Sequence, residues 1–440
     1  MRAFLDAARS VPLTARLGTV AAIAGYSLEA LGPDVTIGEV CEIQPQDAPP
    51  LAAEAVGLQR GRVVLMPYGA LRGVGIGDTV RATGVQAGMP VGPALLGRVI
   101  DAFGQPLDGG AAPLAAEQRP LQAPPINPLR RPRIDKVLET GVRAIDALLP
   151  LGRGQRIGIF AGSGVGKSTL LGMLARDVQA DINVIALIGE RGREVREFVE
   201  KHLGPEGLKK SVVVVATSDQ PALARTRAAQ AATVVAEYFR DQGKQVLLMM
   251  DSITRFAMAR REVALSAGEP PTARGYTPSV FAELPELCER CGTAPSGGSI
   301  TALMTVLVEG DDLNEPISDA LRAILDGHVV LSRQLAHQGQ YPAIDLLKSV
   351  SRLLPDLASE DELRLAQAAT ATLALLERNR QIVELGAYER GSNPALDAAL
   401  AQQDALQGWL RQAEGGFPRV AALQLLADWQ EAIAKDGAAA

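Results

Sequence analysis

Cysteine and histidine are scarce in this chain of 440 residues, which holds three of each. Three cysteines are too few for a disulfide framework, and their scarcity favours a reducing compartment. Two of them form the pair Cys288-Glu289-Arg290-Cys291, but a zinc site with four ligands would need a second pair. Because the histidines are scattered along the chain, we expect Cys288 and Cys291 to be buried or chemically inert.

An excess of positive charge is also missing, since the formal net charge is −6. Residues 1–90 contain seven arginines and no lysine against eight acidic residues, and their aromatic residues are Phe4, Tyr26 and Tyr68. Proteins that bind single-stranded nucleic acid combine a basic groove with aromatic stacking platforms. The composition therefore argues against a nucleic-acid partner.

Long apolar runs are absent from the sequence. No run approaches the roughly 20 apolar residues that a membrane-spanning helix requires. Arg2, Asp6, Arg9 and Arg16 interrupt the N-terminus, where a signal peptide would carry a continuous apolar stretch. We therefore expect a cytoplasmic protein that meets a membrane only through partners.

Changes in composition and residue pattern along the chain predict an α/β protein with several domains. Short β-rich runs broken by glycines predict a small barrel. Seven prolines within residues 105–135 predict an extended linker. Short apolar runs that alternate with helical stretches predict a mostly parallel sheet. The predicted segments are an N-terminal docking helix or flexible arm over residues 1–20, a β-barrel over 21–100, a proline-rich linker over 101–135, an α/β domain over 136–354 and a helical domain over 355–440.

Two sets of residues make the predicted elements explicit. The strands expected in the α/β domain are 156–160, 183–188, 212–216, 245–250 and 300–307. The apolar stripes expected to face the core of the helical domain are Leu365, Ala369, Leu373 and Leu376, followed by Val420, Leu423, Leu426 and Trp429.

A glycine-rich turn at residues 161–169, Ala-Gly-Ser-Gly-Val-Gly-Lys-Ser-Thr, follows the first of these strands and opens a helical stretch. This order is that of a P-loop, in which backbone N–H groups surround a triphosphate at the start of a helix. Ala161 stands where the stricter pattern has glycine, a small departure because only the glycines inside the turn must accept unusual backbone angles. A dinucleotide-binding fingerprint is excluded, since its third glycine would fall on Lys167. The predicted nucleotide-binding residues are Gly162, Ser163, Gly164, Val165, Gly166, Lys167, Ser168 and Thr169.

Three side chains supply the chemistry expected around this turn. Lys167 would reach the β- and γ-phosphates, and the Ser168 hydroxyl would bind Mg²⁺. Asp251 ends the apolar run 245–250, the pattern expected when a buried strand delivers a carboxylate to the metal. The predicted cofactor is therefore Mg²⁺ together with a nucleoside triphosphate, which the family resemblance described below implies is ATP.

Glu190 follows the strand 183–188 within Gly189-Glu190-Arg191-Gly192-Arg193-Glu194. Sites in open α/β sheets form beyond the carboxyl ends of the strands, so Glu190 could orient and polarise the attacking water. On the pattern alone, a surface ion pair is an equally open interpretation.

Together with the P-loop, this segment resembles the RecA-type hexameric ATPases related to the catalytic β subunit of rotary ATP synthases. The chain is more closely similar to the ATPases of bacterial flagellar export and type III secretion, over about residues 20–430. The segments that carry the resemblance are 141–146, 163–168, 188–194, 251–257, 275–279, 308–316, 325–328 and 341–345.

The resemblance implies roles for individual residues. It implies that Glu190 is the catalytic carboxylate, that Tyr341 stacks on adenine and that Arg352 is an arginine finger supplied to the neighbouring subunit. It also implies that Arg191 and Arg255 assist on the γ-phosphate side. A core aromatic remains the alternative for Tyr341, and structural ion pairs remain the alternative for the two helper arginines.

The presence of these parts on one chain has a physical consequence. Because the phosphate cradle, Glu190 and a candidate finger occur together, a ring of identical subunits could form a complete site at every interface. A monomer should then be nearly inactive.

The function implied is that of an ATP-driven component of bacterial flagellar protein export. Hydrolysis at the interfaces of a homohexameric ring would be coupled to chaperone release, unfolding and delivery of export substrates. Residues 385–394 look more like the flagellar than the injectisome enzymes. The alternatives are the ATPase of a virulence or symbiosis injectisome, an RNA-translocating hexamer, and an ATP synthase or vacuolar-type subunit, from whose pattern residues 306–310 depart.

The same resemblance implies a set of partners. These are identical subunits, a stator-like regulatory subunit at the N-terminus, a central stalk protein, membrane proteins of the export gate, and export chaperones with their substrates. The protein would lie at the periphery of the inner membrane through this apparatus.

Overall fold

The computed structural model describes residues 14–59, 61–308, 310 and 312–439. Its strands are β1 (Leu17–Ala24), β2 (Ser27–Leu31), β3 (Glu39–Gln44), β4 (Leu51–Gln59), β5 (Arg62–Pro67), β6 (Thr79–Gln86), β7 (Gly88–Val91), β8 (Arg98–Asp101), β9 (Glu117–Pro120), β10 (Val137–Leu138), β11 (Leu151–Gly152), β12 (Arg156–Ala161), β13 (Ile182–Ile188), β14 (Ser211–Ala216), β15 (Gln245–Asp251), β16 (Gly292–Thr293), β17 (Ser299–Leu307), β18 (Gly327–Leu331) and β19 (Ile344–Ser351). Its α-helices are α1 (Arg143–Leu148), α2 (Lys167–Asp177), α3 (Gly192–Glu197), α4 (Gly204–Lys209), α5 (Ala222–Asp241), α6 (Ile253–Ser266), α7 (Pro278–Glu289), α8 (Pro316–Ile324), α9 (Arg333–His337), α10 (Leu354–Leu357), α11 (Glu360–Glu384), α12 (Pro394–Ala401), α13 (Gln403–Leu410) and α14 (Arg419–Ala439).

The first six strands form a closed barrel in the order β1-β2-β5-β4-β3-β6. Its closure is complete because β1 pairs with β2 on one side and with β6 on the other. Inward side chains such as Leu28, Ile43, Leu65 and Val80 are fully buried in its core. The predicted small barrel is confirmed, and β1 starts at Leu17, so residues 17–20 belong to the barrel rather than to a docking helix. Of the rest of that prediction, residues 14–16 belong to no helix or strand, and residues 1–13 lie outside the described residues.

The predicted boundary between barrel and linker is too late in the chain. The barrel ends with β6 at Gln86, and β8 runs parallel to β14 as an edge strand of the central sheet. Ile100 is fully buried in this position, and this burial stabilises β8 in the central sheet rather than in the barrel. The neighbouring strands β7 and β9 pair as a separate antiparallel ribbon.

Arg227 of α5 joins the barrel, the ribbon and the central domain. Its guanidinium lies over the neighbouring rings of Tyr68 and Phe103, 4.9 Å from each centroid. It donates hydrogen bonds to the Tyr68 hydroxyl at 2.8 Å and to the Gly88 carbonyl at 2.6 Å. A buried arginine must keep such partners, since an unpaired buried charge is strongly destabilising. This contact therefore fixes the barrel on the central domain.

The central sheet has the order β19-β18-β12-β17-β15-β13-β14-β8 with β16 beside β17. Its main strands are parallel, and β19 and β16 are antiparallel to their neighbours. The strands β12 to β15 and β17 are buried along nearly their whole length, because helices cover both faces. The predicted mostly parallel α/β domain is confirmed.

The helices α11 to α14 form the C-terminal domain, as predicted. A capping box between Ser359 and Glu362 begins α11. Trp409 and Trp429 lie in the same buried cluster as the apolar face of α2, so the helical domain packs directly on the central domain. The predicted stripe on α14 is confirmed at Leu426 and Trp429, which are buried, but is wrong at Val420, which is 76% exposed, whereas Ala422 is fully buried.

The cysteines are buried as predicted, and burial raises the pKa of Cys291 to about 12. Among the residues that the structure describes, no helix is long and apolar enough to cross a membrane.

Candidate nucleotide-binding site

The P-loop connects the carboxyl end of β12, at Ala161, with the start of α2, at Lys167. Gly164 and Gly166 have φ angles of 79° and 86°, a left-handed conformation that glycine adopts without a steric penalty. The turn therefore places the N-terminus of an 11-residue helix behind it. Exposed N–H groups and the helix dipole make such a terminus favourable for a phosphate.

Tyr341 covers the P-loop from the side of the helical domain. A Cβ atom placed on Gly166 would lie 3.2 Å from Cδ1 of Tyr341. The tyrosine is 45% exposed, so it is not packed in the core, which was the structural alternative for this residue. Its ring is free to offer a flat face beside the phosphate cradle.

Lys167 meets two carboxylates at the edge of the sheet. Its Nζ atom contacts Asp251 Oδ1 and lies 3.5 Å from Glu190 Oε1. The side chains of Lys167, Asp251 and Glu190 are 13%, 8% and 18% exposed. An ammonium group has three donors, so phosphate oxygens could share this lysine with the carboxylates.

The register of the sheet explains this convergence. β13 and β15 are parallel neighbours, with Leu187 opposite Asp251. Asp251 therefore ends its strand at the same level at which the chain leaves β13 towards Glu190, three residues beyond Leu187. The sequence predicted both carboxylates, and the structure brings them together with Lys167.

Thr305 is a member of the site that sequence reasoning missed. Its hydroxyl is fully buried in β17 and lies 2.7 Å from Asp251 Oδ1 and 3.1 Å from the Met250 carbonyl. The single hydroxyl proton favours the shorter contact, which fixes the orientation of the carboxylate. The available signal was a single polar residue within the apolar run 302–307 of β17.

The electrostatics of the site favour the charged form of Lys167 and disfavour the charged form of Glu190. Burial raises the pKa of Glu190 to about 7; Lys167 opposes this shift, and Asp251 and Glu194 reinforce it. Burial also disfavours the charge of Lys167, but Asp251 and Glu190 outweigh it and raise the pKa of the lysine. Lys167 is therefore positively charged near neutral pH, whereas Glu190 is poised to accept a proton.

The two helper arginines lie at the same edge with exposed side chains. Arg191 forms an ion pair with Glu194 at 3.6 Å, in which its own side chain is 73% exposed. Arg255 packs along the Gly189 turn, since a Cβ atom on Gly189 would lie 3.0 Å from the Cβ of Arg255. Both arginines border Glu190 without contacting Lys167 in the contacts observed.

Arg352 lies at the opposite end of the sheet from the P-loop of its own chain. Its backbone N–H donates to Asp326 O at 3.0 Å, and the N–H of Asp326 donates to Arg156 O at 2.9 Å. Arg156 begins β12, and the P-loop leaves β12 after Ala161. Five residues of a parallel strand span about 17 Å. The exposed Arg352 therefore cannot join the Lys167 cluster of its own subunit.

The donor set fits Mg²⁺ brought in with a triphosphate. Ser168 offers an exposed hydroxyl in the first turn of α2, and Asp251 offers a carboxylate. Mg²⁺ is commonly held by one or two protein oxygens together with substrate phosphates. Within the described part of the chain, no group of three or more His, Cys, Asp or Glu side chains could hold a metal alone.

Comparison with family models divides the chain into three matching segments. Residues 20–84 match the beta-barrel domain of the ATP synthase alpha/beta family. Residues 141–351 match the nucleotide-binding domain of that family. Residues 358–424 match the C-terminal domain of the type III secretion ATPase EscN.

Individual proteins resemble the chain over most of its length. The flagellum-specific ATP synthase of Bacillus subtilis (strain 168) is 52% identical over 404 residues, which cover 90% of this chain and 91% of that protein. The type 3 secretion system ATPase of Xanthomonas euvesicatoria is 50% identical over 398 residues and 90% of each chain. The assembled ATPase EscN of enteropathogenic E. coli superposes with a TM-score of 0.89 at 44% identity, over 94% of this chain and 99% of that one.

Proposed function

This chain belongs to the ATP synthase alpha/beta family and is an ATP-hydrolysing enzyme, and we propose that it is the motor ATPase of a bacterial flagellar export apparatus. More generally, it is an export ATPase of the flagellar and type III secretion class. The observation that carries the chemical part is the convergence of Lys167, Glu190 and Asp251 on the P-loop.

The choice of a flagellum over an injectisome rests on residues 385–394. Overall identity does not separate the two, since the flagellar and secretion relatives reach 52% and 50%. Expression of this chain in a strain that lacks its flagellar export ATPase should restore swimming, whereas expression in an injectisome ATPase mutant should not restore secretion. The reverse result would assign the chain to an injectisome.

We propose a mechanism in which each side chain has one task. Lys167 binds the β- and γ-phosphates, and Glu190 orients the attacking water and takes its proton. Ser168 and Asp251 would hold Mg²⁺, which when bound offsets the negative charge of the phosphates. Tyr341 stacks on the base, and Arg191 and Arg255 lie where they could assist the γ-phosphate.

We also propose that each site is completed by the next subunit of a ring. The position of Arg352 supports this, because it faces solvent at the far end of the sheet from its own Lys167. A ring of identical head-to-tail contacts would bring the arginine of one subunit to the P-loop of its neighbour. A homohexamer accords with the structure of EscN, which is described as assembled.

The pH dependence of hydrolysis tests the role of Glu190. Because burial raises its pKa to about 7, the free enzyme should lose its base on acidification through that value. We expect kcat/KM for Mg-ATP to be level above about pH 7 and to fall about tenfold per pH unit below it. A profile measured between pH 5 and 9 that stays level down to pH 5 would contradict this assignment.

An RNA-translocating hexamer remains the second candidate, and the barrel surface argues against it. Arg16, Arg62 and Arg81 form ion pairs with Glu39, Glu29 and Glu42 of the same barrel. These arginines are already neutralised, which weakens any groove that would track a phosphate backbone. Hydrolysis that rises severalfold on adding single-stranded RNA would favour the translocase instead.

The proposed partners follow from the same family. A central stalk protein is supported by a solved complex of EscN with its central stalk EscO, a structure that matches this chain with a TM-score of 0.86. A stator-like subunit at the N-terminus, the export gate, and the chaperones with their substrates complete the proposed set. We place the protein in the cytoplasm, against the inner membrane through this apparatus.

A further inference from the structure

Gln412, in the segment between α13 and α14, makes three hydrogen bonds with its side chain. Its side-chain oxygen accepts from the N–H of Arg143 at 2.9 Å. Its side-chain nitrogen donates to the carbonyls of Gly141 and Glu414, both at 2.7 Å. The residue is 8% exposed. Two carbonyl partners and one N–H partner also fix which end of the amide is nitrogen.

The backbone of the same residue reaches the nucleotide site. The N–H of Gln412 donates to the carbonyl of Tyr341 at 2.8 Å. Tyr341 lies against Gly166 of the P-loop. A single residue of the helical domain is thus bonded to the segment that precedes α1 and to the tyrosine beside the phosphate cradle.

A second contact secures the segment 411–417 at its other end. The N–H of Phe417 donates to the Gly141 carbonyl at 3.1 Å, and the guanidinium of Arg143 lies 5.1 Å from the centroid of the Phe417 ring. Gly141 has a φ of 74° and approaches Gly416 so closely that a Cβ atom on it would lie 2.5 Å from the Gly416 nitrogen. The segment is therefore held tightly against the central domain.

We propose that Gln412 is a positioning residue for the nucleobase. Its side chain pins segment 411–417 to the central domain, and its backbone N–H thereby holds Tyr341 in place beside the P-loop. The proposal rests on the proposed stacking role of Tyr341 and deepens it, because it makes the helical domain part of the base-binding structure. The groups around the γ-phosphate lie outside this network.

The test compares two ligands that differ in whether they carry a base. Gln412→Met keeps the length of the side chain and removes its three hydrogen bonds. We expect the Kd for Mg-ATP to rise about tenfold and kcat to change less than twofold. The Kd for Mg-tripolyphosphate, which has no base, should stay at the wild-type value. General damage to the fold would instead raise the Kd for both ligands. Gln424→Met is the matched control, since Gln424 bonds only Asp428 of its own helix in the contacts observed.

A double-mutant cycle shows whether Gln412 acts through Tyr341. Adding Gln412→Met to Tyr341→Ala should weaken Mg-ATP binding less than twofold further, because the stacking face is already gone. Additive losses, or equal losses for both ligands, would overturn the proposal. A wild-type protein that binds Mg-tripolyphosphate as tightly as Mg-ATP would overturn the stacking role together with it.

Hydrogen exchange of the wild-type protein gives a measurement that does not depend on a variant's folding. Mg-ADP should slow exchange of the amides in segment 411–417, because stacking on Tyr341 immobilises the residue that Gln412 bonds. Tripolyphosphate should leave exchange in this segment unchanged. Equal protection by both ligands would contradict the assignment.

Discussion

Replacing Glu190 with glutamine should lower kcat by about 10²–10⁴-fold while Mg-ATP still binds. Loss of a positioned general base typically costs this much. The amide has the same shape as the carboxylate but cannot take a proton from water. Binding should be retained or tightened, because the substitution removes a negative charge beside the γ-phosphate. Single-turnover hydrolysis separates the chemical step from binding, and a fluorescent nucleotide measures the affinity.

Glu197→Gln is the matched control for this experiment. Glu197 follows Glu190 by seven residues and pairs with the exposed Lys201 at 3.0 Å, so its loss should change kcat less than threefold. Comparable losses in the two variants would show that the charge of this segment matters rather than a base at Glu190. A Glu190→Gln enzyme that retains a third of its rate would refute the assignment.

Replacing Arg352 with alanine should lower kcat by about 10³–10⁵-fold, the range attributed to arginine fingers in related phosphoryl transfer. Arg352 cannot reach Lys167 of its own subunit, so the substitution should slow hydrolysis at the site of the neighbouring subunit rather than at its own. For the wild type, the rate per subunit should rise steeply with protein concentration, because the complete site forms on assembly. Arg364→Ala, which removes an exposed arginine of α11 paired with Asp361, should have little effect.

Mixing two inactive variants makes the same prediction sharper. An interface is complete when an Arg352→Ala subunit supplies Glu190 and a Glu190→Gln subunit supplies Arg352. In a randomly mixed ring of equal parts, about a quarter of the interfaces meet this condition. The mixture should therefore recover about a quarter of the wild-type rate. A mixture as inactive as its components would mean that the arginine acts within its own subunit or not at all.

The parts of the site that the sequence predicted are those encoded by local pattern. The P-loop was evident because Gly164 and Gly166 lie between an apolar strand and a helix. Asp251 and Glu190 were predictable because the carboxyl ends of parallel strands meet at one edge of a sheet. Their closeness to Lys167 followed from that topology rather than from their separation along the chain.

The parts that were missed depend on contacts between distant segments. β8 lies more than 100 residues before its partner β14, and its four residues carry no pattern that distinguishes a barrel strand from an edge strand of the central sheet. Gln412 gave no signal because its partners, Gly141 and Tyr341, lie in separate parts of the sequence. Val420 fits the helical spacing of its stripe but stands in the first turn of α14, where the neighbouring structure does not cover it.

The closed N-terminal barrel limits the ways in which neighbouring copies of the protein can associate. Open sheets expose unpaired N–H and C=O groups along their edge strands, and these are templates for irreversible aggregation. Because β1 pairs on both sides, this barrel offers no such template to an adjacent copy. In the proposed ring, neighbouring barrels would therefore not extend one another's sheets, so a subunit could detach without breaking a shared ladder of strand hydrogen bonds.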